Sequence, residues 1–241
     1  MAARKARYKR ILLKLSGEAL IGEGSFGIDA TVLKSVASEI LQVHRMGVEI
    51  GVVIGGGNIF RGLNASAFGL GRVPADHMGM LATMINAIAL GEVLGAMGAE
   101  TRVMSAIDMI KISETYVRGK ALSDLERKRV VIFGAGTGNP FFSTDTAAAL
   151  RAMEIGAGAL LKATKVDGVF SRDPEKFPSS RPFTRLTYGE VLKRNLGVMD
   201  MTAVALAMGQ GLPIVVFNLR KRGNIRKVVL GERVGTYITG K

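Results

Sequence analysis

Three apolar runs, each broken by a turn of glycines and small polar residues, constrain this chain more than any other feature. They are 11–15 before Ser16 and Gly17, 49–54 before the GGGN turn at 55–58, and 129–133 before the GAGTGN turn at 134–139. Short runs rich in β-branched and aliphatic residues that stop at glycine read as strands buried on both faces. Between them the spacing turns helical: Val32, Leu33, Val36, Ile40, Leu41 and Val43 recur at three and four. Asp29 is placed to cap that helix and Gly47 to stop it. Further helices are expected over 78–97, 144–154, 188–195 and 201–208. Further strands are expected near 101–104, 159–161 and 213–218, with a closing hairpin from 227–230 and 235–238. Strand and helix alternate from end to end, which predicts an α/β chain, a three-layer α/β/α sandwich around a mostly parallel sheet. With no repeat and no Pro/Ser-rich linker, residues 1–241 read as a single domain, 1–10 being a basic tail.

Composition removes several classes of chemistry. The chain has no cysteine, so a disulfide framework, a thiolate metal site and a cysteine nucleophile are excluded. Its two histidines, His44 and His77, leave no His-rich metal cluster, and no residue is assigned as a metal ligand. Lys and Arg number 33 against 20 Asp and Glu, a formal charge of +13, which favours phosphorylated partners. The tail residues Arg4, Lys5, Arg7, Lys9 and Arg10 read as a solvated arm. Lys14 cuts the following apolar run too short for a signal peptide, and the lack of cysteine leads to the expectation of a reducing cytoplasm. The stretch 78–99 is the most apolar, but Asn86, Glu92 and the helical spacing of Leu81, Met84, Ile85, Ile88 and Leu94 predict a buried helix and no membrane span.

In an open parallel sheet, ligands bind beyond the carboxyl ends of the strands, where glycine turns let backbone N–H groups approach an anion. Three such turns in one chain point to ligands carrying several phosphates. None is a P-loop, which needs G-x-x-x-x-G-K-[ST], and no G-x-G-x-x-G opens the chain, so a dinucleotide oxidoreductase is disfavoured.

As a set, these stretches resemble the amino acid kinase family, and within it the bacterial uridylate kinases. The resemblance rests on YKRILLKLSGEA (8–19), VIGGGNIFRG (53–62), DHMGMLAT (76–83), GAGTGNPFFSTD (134–145), LKATKVDGVF (161–170) and VMD (198–200), and covers the chain after residue 7. It implies phosphoryl transfer from ATP to UMP with Mg²⁺ held mainly by substrate phosphates and water. It also implies a hexamer built as a trimer of dimers, GTP as activator and UTP as inhibitor, an acceptor lobe in the N-terminal half and a donor lobe in the C-terminal half. Nucleic acid is not an expected primary partner. Phosphoryl transfer asks a protein for positioning and charge stabilisation, which suits lysines, an arginine and backbone N–H groups.

The resemblance assigns Lys14, Arg61, Asp145, Lys162 and Asp200 to catalysis. It assigns Lys14, Leu15, Ser16, Gly17, Gly57, Arg61, Thr164, Lys165, Phe170 and Asp173 to ATP, and Gly56, Asp76, Thr137, Gly138, Asn139, Pro140, Phe141, Phe142, Ser143 and Thr144 to UMP. Gly22, Glu23, Gly24, Ser25, Phe26, Gly27, Ile28 and Asp29 fall in its effector-response stretch. Asp145 reads as an organiser of Lys14, since a phosphate acceptor is already ionised and needs no general base. Gly56 and Gly57 are expected to let the second turn approach both substrates. Asp76 is expected at the UMP ribose, though an Asp before a helix also caps it. Phe141 and Phe142 read either as core or as the nucleobase slot, and 164–173 as donor site or polar surface loop. Asp200 reads as a helix cap or as the orienter of a lysine. Arg102, Arg118 and Arg129 are further candidates to meet an effector triphosphate. Relatives acting on aspartate, glutamate, acetylglutamate or carbamate, and a basic nucleic-acid-binding protein, stand as alternatives.

Overall fold

The computed structural model describes residues 5–22, 24–60, 69–174, 176–177 and 179–240. Among them, nine strands form one sheet: β1 (Arg10–Leu15), β2 (Glu49–Ile54), β3 (Thr101–Ser105), β4 (Glu114–Thr115), β5 (Val130–Gly134), β6 (Leu160–Thr164), β7 (Arg185–Thr187), β8 (Ile214–Asn218) and β9 (Thr236–Thr239). Their spatial order is β4-β3-β5-β2-β1-β6-β8-β9-β7, and every pair is parallel except β8 with β9. The helices are α1 (Ala30–His44), α2 (Arg72–Ala96), α3 (Arg118–Glu126), α4 (Thr144–Glu154), α5 (Tyr188–Lys193), α6 (Met201–Gly209) and α7 (Asn224–Val229), with a 3₁₀ turn at Gly17–Leu20.

Strand alternation divides the apolar residues into two cores. Ile11, Leu13 and Leu15 of β1 point with Ile50, Val52 and Ile54 of β2 into one core, closed by α1, α2 and α7. Leu12, Val53, Val131 and Leu160 point the other way, onto α3, α4, α5 and α6. The period of two therefore gives three layers, as the sequence predicts. The centre of the sheet is its switch point: β1 pairs with β2 on one side and β6 on the other, which leaves a crevice above their carboxyl ends.

Asp29 caps α1, its Oδ1 accepting the Thr31 and Val32 N–H groups at 2.8 and 2.9 Å. Several expectations need correction. Residues 227–230 are not a hairpin strand; they belong to α7 and the residue that ends it, and β9 pairs with β8 and β7 instead. α2 begins at Arg72, six residues before the expected start, while β4, α3 and β7 carry too few apolar residues to be read from periodicity. The basic tail is not wholly solvated. Arg10 is partly buried against Glu49, with Nε donating to Oε2 at 2.7 Å, and the Arg7 guanidinium lies over the Tyr8 and Tyr237 rings. α2 has the length and composition of a membrane span, yet half of its most apolar window is buried, and it packs on β2, β3 and β5.

Candidate active site

Lys14 and Lys162 are register partners on the adjacent parallel strands β1 and β6. Both project toward the α4 face, because the even-numbered positions Leu12 and Leu160 just before them enter that core. Two ammoniums side by side repel, and the residue that offsets them is Asp145 in the first turn of α4. Lys14 Nζ lies 2.7 Å from Asp145 Oδ1, and Lys162 Nζ donates to Oδ2 at 2.6 Å. Oδ1 meets Lys14 as a close ion pair without hydrogen-bond alignment. Lys162 also donates to the Val198 carbonyl.

Burial opposes the charged form of Asp145, but the Lys14 and Lys162 ammoniums outweigh it and hold the carboxyl below its ordinary value of 3.8. Lys162 shifts downward from 10.5: burial is the largest cause, and the one carboxylate it shares with Lys14 does not outweigh it. The cluster thus carries a net positive charge inside the fold, an arrangement suited to a transferring phosphoryl group.

Asp200 caps α6, Oδ1 accepting the Ala203 N–H at 2.9 Å. The same oxygen accepts the Thr146 hydroxyl at 2.9 Å, and Oδ2 accepts the Ser143 hydroxyl. Ser143 itself caps α4 through the Asp145 and Thr146 N–H groups. Asp200 therefore ties the starts of two helices together and reaches Lys162 by its field, not by contact.

Two cavities lie near the cluster: Lys14 and Lys162 line one, and Thr144, the neighbour of Asp145, lines the other. The smaller, about 140 Å³, is lined by Gly56, Gly57, Phe60, Ala75, Asp76, Gly79, Met80, Thr83, Gly136, Thr137, Phe142 and Thr144. The larger, about 530 Å³, includes Lys14, Ser16, Glu18, Gly22, Gly24, Lys162, Thr164, Lys165, Arg220 and Arg222 in its lining.

The smaller cavity is built from behind by α2. The fully buried Asn86 donates to the Gly55 carbonyl at 2.7 Å and exchanges hydrogen bonds with Asn58. One turn earlier, Thr83 Oγ1 accepts the Ala135 N–H at 2.8 Å. Two polar side chains on one helix face thereby fix the second and third glycine turns. At the first turn, a Cβ on Gly17 would stand 2.5 Å from both Gly55 O and Asn58 Oδ1, so only glycine lets the first two turns meet.

The sequence matches the amino acid kinase family over residues 9–218. The chain belongs to the amino acid kinase family. Within that family's fold it is similar to the UMP kinase of Bacillus anthracis, with a TM-score of 0.94 and 42% identity over 97% of each chain. It is similar also to the UMP kinase of Ureaplasma parvum, at 0.91 and 35% identity, covering 97% of this chain and 99% of that one. The uridylate kinase of Archaeoglobus fulgidus follows at 0.75 and 28%, covering 95% and 99%.

The family's site residues fall unevenly on this structure. Lys14, Ser16, Lys162, Thr164 and Lys165 line the larger cavity, whereas Phe170 and Asp173 do not. Phe170 bridges Pro182, and the Asp173 carbonyl accepts the Lys176 and Phe177 N–H groups. Leu15 is wholly buried in the core, so only its backbone faces the turn, its carbonyl accepting the Gly55 N–H. Gly56 lines the smaller cavity, and packing by itself already requires glycine there, since a Cβ would meet Ala82 Cβ at 2.7 Å. Asp76 is not a cap. It lies within α2, where Oδ2 accepts the Phe141 N–H at 2.7 Å and Arg72 Nε at 2.8 Å.

Phe141 holds φ +72°, costing a non-glycine residue about 1–3 kcal/mol, which the Asp76 contact helps to offset. Neither Phe141 nor Phe142 is core: they are 65% and 51% exposed. Thr137 and Asn139 hydrogen-bond each other within the third turn, Gly138 N–H donates to the Ala135 carbonyl, and Pro140 is partly buried. Arg61 and Glu23 lie outside the described residues. Gly22 and Gly24 line the larger cavity; Gly27 accepts from Asn58 Nδ2 and donates to the Asn58 carbonyl; Ser25 and Phe26 are exposed, Ile28 partly buried, and Asp29 caps α1. Arg129 pairs with Asp124 and Glu100, Arg102 approaches Glu114 and Asp124, and Arg118 donates to the Glu154 carbonyl. Sequence reasoning missed Asn58, Thr83, Asn86 and the Val198 carbonyl as supports, and Arg220 and Arg222 as lining. The polar positions in an apolar helix were the available signal for Thr83 and Asn86.

Proposed function

We propose that this chain phosphorylates UMP with ATP, giving UDP and ADP, with ATP in the larger cavity and UMP in the smaller. The observation that carries the proposal is the Lys14–Asp145–Lys162 cluster, whose lysines line the larger cavity and whose Asp145 follows Thr144 of the smaller. The acceptor's phosphate oxygen attacks the γ-phosphorus of ATP in line, the bond to the β-phosphate bridging oxygen breaks, and ADP leaves. Lys14 follows the moving phosphoryl group, Lys162 offsets its charge, and Asp145 keeps both ammoniums apart and aimed. Asp200 fixes the start of α4, which carries Asp145. Thr137, Thr144 and Asp76 supply polar contacts to UMP, with the 137–144 turn forming the base slot and Arg61 serving as a further phosphate ligand. Gly17, Thr164 and Lys165 complete the donor site, and Gly57, which lines the smaller cavity, stands on the acceptor side.

Among the described residues no group of three His, Asp or Glu side chains is placed to hold a metal ion, and both Asp145 oxygens face ammoniums. That donor set does not form a protein-borne Mg²⁺ site; it suits an ion carried by donor phosphates and water.

Regulation by GTP and UTP, a cytoplasmic setting and assembly as a trimer of dimers belong to the same proposal. The Gly27–Asn58 hydrogen bonds support the first by joining the effector stretch to the second glycine turn. Leu81 and Ile85, 46% and 51% exposed on α2, support the last as an apolar face for a partner helix. Gly95 and Gly98 leave room there, whereas Gly91 does not: it packs on Val103 of β3. A coupled ADP-release assay with UMP, CMP, aspartate, glutamate and carbamate tests the substrate. UMP alone is expected to give full turnover; a faster carboxylate or carbamate acceptor contradicts the proposal.

A further inference from the structure

One wall of the larger cavity is a turn with an unusual load. After β8, Arg220, Lys221 and Arg222 are three consecutive cations, and both arginines line the cavity with Leu219. Such a turn repels itself, and the structure anchors it at several points. Lys221 Nζ lies 2.7 Å from Asp167 Oδ1, which also accepts from Asn218 Nδ2 at 3.0 Å. Asn218 Oδ1 accepts the Arg220 N–H at 2.9 Å, and the Leu219 N–H donates to the Thr164 carbonyl. The far end is held by α1, where Glu39 Oε1 accepts the Gly223 N–H at 2.7 Å. Glu39 is only 7% exposed, and its other oxygen is buried with no hydrogen-bond partner. A buried acid holding one neutral N–H is an expensive fastening unless nearby positive charge offsets it. Neither Arg220 nor Arg222 is paired with a carboxylate among the described residues, so both guanidiniums remain available to a ligand.

We propose that Arg220 and Arg222 bind the donor phosphates that are not transferred, and that Glu39 is the positioning residue that holds their turn. The proposal rests on reading the larger cavity as the donor site and assigns it ligands beyond Lys14 and Lys162. Those two lysines share one carboxylate at the transfer point, while a nucleoside triphosphate spreads its charge over two further phosphates. Guanidinium forks match such oxygen pairs. Because ADP keeps these phosphates, the contacts strengthen binding equally before and after transfer. They therefore act on KM for ATP and not on kcat.

The test compares the wild type with Arg220→Ala/Arg222→Ala. The KM for ATP is expected to rise about tenfold or more with kcat and the KM for UMP little changed, as for lost uniform binding. Isothermal titration with inorganic tripolyphosphate reads the same contacts without turnover and is expected to weaken in parallel. Glu39→Ala is expected to raise the KM for ATP as well, and Glu39→Gln, which keeps an acceptor for Gly223, to restore it. Lower melting temperature with an unmoved KM for ATP would overturn the role of Glu39. Lys162→Ala separates the two possible failures. Tripolyphosphate binding weakened by Lys162→Ala but not by the arginine pair overturns this proposal and leaves the donor cavity standing. Binding insensitive to both overturns the cavity reading as well.

Discussion

The two cavities beside Asp145 are built on different principles. The smaller is lined by the second and third glycine turns and by a face of α2, with Asp76 as its one charged side chain among the described residues, and it is held in shape by Thr83 and Asn86. The larger is lined by five cations, Lys14, Lys162, Lys165, Arg220 and Arg222, with Glu18 as its acid. On the proposed assignment, the first would select its occupant by shape and hydrogen bonding and the second by charge. Substitutions around the first are therefore expected to act through geometry, and around the second through electrostatics that salt weakens.

The largest effect belongs to the Lys14–Asp145–Lys162 cluster, whose lysines line the larger cavity. Lys14→Ala is expected to lower kcat by roughly 10²-fold or more while the KM for UMP moves little. An unchanged kcat in a folded variant would remove Lys14 from the transfer. The same cluster sets the pH range. Asp145 titrates below its ordinary 3.8 in the folded chain, so its stabilising charge is present above the unfolded value and is lost only as pH falls through the lower folded one. Lys162 titrates below 10.5, so its charge disappears early on the alkaline side. In a direct titration of the folded protein without substrate, Asp145 is expected to take up its proton below the usual carboxylate range and Lys162 to lose its proton below the usual lysine range. An Asp145 that titrates above the usual carboxylate range would contradict the pairing.

Geometry is the next lever. Asn86→Ala strands the Gly55 carbonyl and Asn58, and leaving a buried polar group unpaired costs about 1–3 kcal/mol. A lower melting temperature with a raised KM for UMP is expected; a raised KM for ATP alone would reverse the division between the cavities. A smaller effect of the same kind is expected from Thr144→Ala, which should weaken UMP and spare ATP in equilibrium binding. The smallest lies outside both cavities. Thr187 caps α5 in a reciprocal pair with Glu190, so Thr187→Ala is expected to cost about 1 kcal/mol in denaturant unfolding with kinetics unchanged.

The sequence made the centre of the sheet legible and its edges much less so. Runs such as 49–54 are apolar because both faces of β2 are buried, and Asp29 and Gly47 mark the α1 ends by their own chemistry. β7 was hidden because Arg185 and Thr187 flank the single buried Leu186, a pattern indistinguishable from a loop. At the site, resemblance supplied Lys14, Asp145 and Lys162, but no spacing rule announces that two register partners share one carboxylate. Phe141 and Phe142 are instructive in the same way. Of their two readings, core and nucleobase slot, the core one fails, because their turn is fixed by Asp76 and left open to solvent. Arg220 and Arg222 escaped notice because a basic turn looks the same in sequence whether it faces water or a cavity.

In the proposed mechanism Asp145 organises transfer between a donor on one side and UMP on the other. Phosphorus NMR of ATP and UMP with the wild type and with Asp145→Asn tests it most directly. At an effective dielectric near 20, removing one charge about 4 Å from another forfeits about 4 kcal/mol, and Asp145 faces two. The wild type is expected to move the ATP γ-phosphoryl group onto UMP as the β-phosphate of UDP. The folded Asn variant is expected to bind both nucleotides and transfer at least about 10²-fold more slowly. Transfer to water in the wild type, or an Asn variant as fast as the wild type, would contradict the account.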